Sequence, residues 1–131
     1  MGDVPEKKSI LIIDDEKEAL SALESILKRA GYMIECASSG SEAIAKAQKK
    51  SFDLIFLDVY LPEMNGVEIF KSLQKIDPNL KVCLMTGWPK GVAVHKDDYL
   101  ALIEEGAIDK TLRKPFSRDE VIKVAREILG S

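Results

Sequence analysis

The sequence predicts an α/β domain: a five-stranded parallel sheet in the order 2-1-3-4-5, doubly wound, with helices on both faces. Three observations predict it. Short apolar runs alternate with stretches of helical period along the whole chain. Three of those runs are nearly continuous in apolar residues, as strands covered on both faces are. Each helical stretch but the last lies between two runs, so right-handed crossovers lay successive strands parallel.

The elements follow in order. Met1–Lys8 is expected to be a loose tail, and the domain to occupy residues 9–130. Ser9–Ile13 (SILII) is the first strand. Ala19, Leu20, Leu23, Ile26, Leu27 and Ala30 recur at i, i+3, i+4 and i+7, a helix closed by Gly31 at C′. Tyr32–Cys36 (YMIEC) is the second strand, and Ser41–Lys49 a helix with Ala43, Ile44 and Ala47 on one side. Asp53–Leu57 (DLIFL) is the third strand. Val67, Phe70, Leu73 and Ile76 mark a helix that must stop before Pro78. Lys81–Met85 (KVCLM) is the fourth strand, and Tyr99, Leu102 and Ile103 mark a helix ended by Gly106. Ala107–Leu112 is the fifth and least regular strand. Val121, Ile122, Ala125, Ile128 and Leu129 form the last helix, with Ser117 as N-cap and Asp119 and Glu120 in its first turn.

Composition bounds the function. At 131 residues, 46% apolar and 31% charged, the chain has the length and balance of one globular domain. A net charge of −3 leaves no basic footprint for direct nucleic-acid binding. No segment approaches the roughly 20 apolar residues of a membrane span, and MGDVPEKKS has no apolar stretch of a secretion signal. Cys36 and Cys83 lie inside apolar runs and are expected to be buried free thiols in a reducing cytosol. The expected setting is cytoplasmic, with no output domain after the last helix.

The polar residues concentrate where such a sheet binds ligands, outside the carboxyl ends of its strands. The first strand runs into Asp14–Asp15, the third into Asp58, the fourth into Thr86 and the fifth into Lys114–Pro115. In the expected order the first and third strands are neighbours, so three carboxylates converge beside a hydroxyl and an ammonium. Clustered carboxylates repel unless a cation sits among them, and hard oxygen donors suit Mg²⁺. A carboxylate can also act as a nucleophile, giving an aspartyl-phosphate.

At these residues the chain resembles the receiver domains of two-component response regulators, whose fold is flavodoxin-like. IIDDE, FLDVYLPEMNG, LMTGW and LRKPF occur in the family's order and spacing, and the likeness covers about residues 8–129. The resemblance implies that Asp58 is the phosphoacceptor and that Asp14 and Asp15 hold Mg²⁺, together with Asp58 and the backbone carbonyl of Tyr60. Thr86 would be the switch hydroxyl. Lys114 would pair with phosphoryl oxygens, through a cis Lys114–Pro115 bond. It further implies a phosphodonor that is a sensor histidine kinase or phosphotransfer domain, and a downstream effector protein or fused output domain. The protein would then be a signalling switch rather than a turnover enzyme.

Simpler readings stand beside these. Asp15 with Glu18 has the spacing of a capping box. Thr86 alone fits a strand-end hydroxyl, Lys114 alone a solvated lysine, and the lone His95 an exposed loop residue. Pro62, Gly66 and Asn65 shape a loop and a helix start. A flavin-binding protein would need a Ser/Thr/Gly-rich loop where this chain has DDEKEA. A dehalogenase-type phosphatase would want Asp-x-Asp and a cap. A receiver-like module that binds partners without phosphorylation is the remaining alternative, and the intact acidic pair, acceptor, hydroxyl and lysine argue against it.

Two departures from the family pattern bear on switching. Thr111 stands where the family usually has Tyr or Phe. The segment between Thr86 and Lys114 is long, with Pro89–Gly91 inside it, and is expected to take over part of the switching role. Tyr60 and Trp88, each two residues beyond a site residue, are expected to shield an acyl phosphate from water.

Overall fold

The computed structural model of the protein describes residues 7–59, 61, 66–87, 96–104 and 107–130. The expectations resting on most of the tail and on Tyr60, Pro62, Asn65, Trp88, Pro89–Gly91, His95 and Gly106 fall outside the described residues.

The chain runs β1 (Ser9–Ile13), α1 (Lys17–Arg29), β2 (Met33–Ala37), α2 (Gly40–Lys49), β3 (Leu54–Asp58), α3 (Gly66–Ile76), β4 (Val82–Thr86), α4 (Lys96–Glu104), β5 (Lys110–Arg113) and α5 (Arg118–Leu129). All neighbouring strands pair in parallel, in the order β2-β1-β3-β4-β5, as the sequence predicts. β1 and β3 are buried along their whole length because each sheet face has its own apolar layer. Leu11, Ile13, Ile55, Leu57 and Leu84 pack with α2 and α3 residues, while Ile10, Ile12, Phe56, Cys83 and Met85 pack with α1 and α5 residues. Side chains of one strand alternate between the two layers, so a continuous apolar run serves both.

β1 has the expected boundaries, and those of the other four strands differ from the expectation by one to three residues, for visible reasons. Tyr32 completes the closure after α1 and does not start β2. Gly31 takes φ 101, its N–H donates to the Lys28 carbonyl, and the Tyr32 N–H donates to the Leu27 carbonyl. That pairing is a Schellman closure, and it demands a residue tolerant of positive φ at position 31. Asp53 stays outside β3 as a clamp on β1: its N–H donates to the Ser9 carbonyl (2.8 Å), and its Oδ2 accepts the Ser9 N–H (2.7 Å). Asp109 repeats the device between β5 and β4, donating to the Val82 carbonyl (3.0 Å) and accepting the Val82 N–H at Oδ2 (2.8 Å). Both carboxylates satisfy main-chain donors at the amino ends of strands. The expected fifth strand therefore loses residues 107–109.

α5 begins as predicted. The Ser117 hydroxyl accepts the Glu120 N–H (3.2 Å), and the Glu120 carboxylate accepts the Ser117 N–H (3.1 Å), a complete capping box. The Asp15 and Glu18 spacing forms no such box. Glu16 is the N-cap of α1, without a side-chain hydrogen bond, and Asp15 is exposed. Cys83 is buried and Cys36 half-buried, both as free thiols. Burial pushes the Cys83 thiol up to about 12, and burial with the nearby Glu24 charge pushes Cys36 up to about 11.

Candidate functional site

Asp14 follows β1 and Asp58 is the last residue of β3, and the register pairs Ile13 with Leu57. The two carboxylates therefore emerge side by side from adjacent strands. Asp14 is 0% exposed and Asp58 4% exposed, while Asp15 faces solvent. One oxygen from each of the three lies within 4.8 Å of the others.

Asp14 is held from two directions. Its Oδ1 accepts the Glu16 N–H (3.0 Å), and its own N–H donates to the Ala37 carbonyl (3.1 Å). Its Oδ2 faces Lys114, whose Nζ donates to Asp14 Oδ2 at 2.8 Å and to Asp58 Oδ2 at 3.1 Å. One ammonium thus ties two buried carboxylates from different strands. Burial alone would lower the pKa of Lys114, but hydrogen bonds and charge from Asp14 and Asp58 outweigh it and hold the group above its ordinary 10.5.

The placement of Lys114 depends on backbone. The Lys114–Pro115 bond is cis, and the Lys114 N–H donates to the Thr86 carbonyl at 2.6 Å. Gly87 lies under the lysine stem: a Cβ at Gly87 would approach Lys114 Cβ to 3.1 Å. The absence of a side chain there lets the stem cross toward the carboxylates. Thr86 ends β4, half-buried, opposite Arg113 in the register. A cavity of about 850 Å³ opens beside the site, between α1 and the β5–α5 connection, with Thr86, Gly87 and Lys114 in one wall and Ala19, Ala22 and Phe116 in the other.

Of the predicted site residues, the structure brings Asp14, Asp15, Asp58 and Lys114 together at the carboxyl end of the sheet, with Thr86 in the adjoining strand end. Tyr60 lies outside the described residues. The sequence reading missed the Glu16 N–H as a partner of Asp14, and missed Gly87. The only signal for Gly87 was its place directly after the fourth strand, where a glycine often marks close backbone approach.

A donor set of three carboxylates, two of them buried, suits a hard divalent cation with open positions. The residues present fit Mg²⁺.

Residues 10–126 match the family described as the response regulator receiver domain, and the chain belongs to that family. It is 36% identical over 122 residues to the alkaline phosphatase synthesis transcriptional regulatory protein PhoP of Bacillus subtilis, covering 93% of this chain and 48% of that protein. The chain thus spans about half the length of that relative. The structure of a CheY-like receiver domain protein from Methanospirillum hungatei superposes with a TM-score of 0.84 at 28% identity, covering 95% of both chains. The response regulator TrrA of Thermotoga maritima, solved in complex with Mg(2+)-BeF, is 28% identical with a TM-score of 0.75, covering 92% of this chain and 98% of that one. As a receiver domain, the chain is consistent with two-component signalling.

Proposed function

We propose that this receiver accepts a phosphoryl group on Asp58 from a phosphohistidine of a sensor histidine kinase or phosphotransfer domain. The observation that carries the reading is the Lys114 ammonium bridging Asp14 and Asp58 in a carboxylate cluster at the rim of the sheet. An Asp58 carboxylate oxygen attacks phosphorus. The phosphorus–nitrogen bond breaks, and the electron pair leaves with the imidazole. Lys114, already within hydrogen-bond reach of Asp58, keeps that carboxylate oriented and offers positive charge where phosphoryl oxygens arrive. Thr86 offers a hydroxyl from the neighbouring strand end. Asp14, Asp15, Asp58 and the main-chain carbonyl of Tyr60 would hold Mg²⁺, which when bound supplies charge neutralisation for phosphoryl transfer.

In this reading the protein is a cytoplasmic signalling switch that catalyses its own modification, with an effector protein or fused output domain downstream. Thr111 is exposed on β5, so no aromatic ring is available there to follow Thr86 inward. The α4 side carries exposed Leu100 and Ile103.

The test is intact-mass measurement after treatment with acetyl phosphate and Mg²⁺. Wild type should gain the mass of one phosphoryl group and Asp58→Ala none. An unmodified wild type, or a modified Asp58→Ala, would refute the assignment and leave phosphorylation-independent partner binding.

A further inference from the structure

The end of the sheet opposite the carboxylate cluster carries a surface that phosphotransfer does not use. β2 is an edge strand, paired on one side only. The Met33 N–H donates to the Lys8 carbonyl (2.9 Å), and the Ala37 carbonyl accepts from Asp14 (3.1 Å), so residues 33, 35 and 37 turn their main-chain groups toward β1. Alternate residues of a strand point the other way, so Ile34 and Cys36 turn theirs outward. The Cys36 carbonyl is covered, because the Lys46 ammonium donates to it from α2. Among the described residues nothing does the same for Ile34.

The ground around Ile34 is apolar and cationic. Met33 is 48% exposed, and a hollow of about 560 Å³ beside it is lined by Tyr32, Met33, Ile34, Lys7, Lys28 and Lys50, with Glu35 the single acid. Lys50 is paired with Glu35 (3.2 Å) and Lys28 with Glu24 (3.4 Å), while Lys7 makes no ion pair among the described residues. Lys7, Lys28 and Lys50 thus outnumber Glu24 and Glu35 around a stretch of open strand edge, on a protein of net charge −3.

We propose that the Met33–Glu35 end of β2 is a docking edge for an extended acidic segment of a partner protein, which adds to the sheet as a further strand. The Ile34 N–H and carbonyl pair with the incoming backbone. Met33, an adaptable thioether, takes an apolar side chain, and Lys7, Lys28 and Lys50 select carboxylates. The open main-chain groups favour a peptide over a lipid surface, which has no backbone to match them. This edge lies at the opposite end of the sheet from Asp58, so docking there does not touch the proposed phosphoacceptor.

The experiment is an amide NMR titration of the full chain with a capped peptide of alternating valine and glutamate. Lysine replaces glutamate in a control peptide, and vesicles rich in phosphatidylserine form a third arm. The acidic peptide should shift the amides of residues 33–36 and slow exchange of the Ile34 amide, while the lysine peptide and the vesicles do neither. Ile34→Pro deletes the outward donor at a position where an edge strand tolerates proline, and should weaken binding about tenfold. The double variant Lys7→Glu with Lys28→Glu should weaken it comparably and keeps the test decisive if the proline variant fails to fold. Absence of shifts with the acidic peptide, equal shifts with the lysine peptide, or vesicle binding at these amides in its place would each overturn the proposal.

Discussion

Replacing Lys114 with methionine keeps the length of the stem and removes the charge. Asp14 and Asp58, 0% and 4% exposed, would then face each other without the cation that now lies 2.8 and 3.1 Å from them. Removing one partner of a buried ion pair costs roughly 3–5 kcal/mol. The lysine side chain is 24% exposed, so water screens part of this, and a loss of about 2–3 kcal/mol is expected. Because the folded pKa of Lys114 is raised, its contribution is fully present below the ordinary 10.5 and is lost only as pH climbs through the folded value. Urea unfolding at neutral pH in EDTA therefore reads the whole effect. Magnesium at ten times the variant's Kd should return about 1.4 kcal/mol to the variant. It should add less to wild type, where Lys114 already supplies a cation. A loss under about 0.5 kcal/mol in EDTA, or an equal magnesium gain in both proteins, would refute the view that this ammonium holds the carboxylates together.

Four further outcomes follow from particular contacts. Asp15→Asn removes an exposed charge within 4.8 Å of two others, and should raise stability by about 1 kcal/mol at low salt, less at high salt; urea midpoints at two ionic strengths check it. Asp53→Ala and Asp109→Ala each undo a carboxylate clamp on a neighbouring strand's N–H, at about 1–2 kcal/mol apiece; the clamps lie on different strand pairs, so the double variant should be additive by denaturation. Gly87→Ala needs Lys114 to give only a few tenths of an ångström and should be tolerated, whereas Gly87→Val should slow acetyl-phosphate labelling of Asp58 about tenfold by moving the lysine stem. With its pKa raised to about 11 from the ordinary 9.0, Cys36 should react with a thiol reagent at pH 8 about tenfold more slowly than a free cysteine, and Cys83 at the rate of global unfolding.

The site was legible in the sequence because its residues are set by topology. Asp14, Asp58, Thr86 and Lys114 each stand where an apolar run ends, and parallel pairing carries all such ends to one rim whatever the details of packing. The element order was legible for the same reason, since burial on both faces writes β1 and β3 as unbroken apolar stretches. What stayed hidden was contact between segments distant in the chain. Asp53 and Asp109 read as residues of the third and fifth strands, because nothing local says that Ser9 or Val82 presents a donor to them. Asp15 with Glu18 offered a helix cap as an alternative to the metal role, because spacing alone does not show that the helix starts at Lys17.

Lys114 shows where the two kinds of information meet. Its position after β5 and before Pro115 was readable, yet its reach was not. It depends on the Thr86 carbonyl that takes its N–H and on the absence of a bulky side chain at Gly87, both at the neighbouring strand's end. The cost of crowding two buried carboxylates is therefore offset by a cation whose placement β4 and β5 determine jointly. A change on either strand end that moves the lysine stem would alter fold stability and the geometry of the Asp14–Asp58 cluster together. That coupling is expected of a site assembled from charges that the protein interior would otherwise expel.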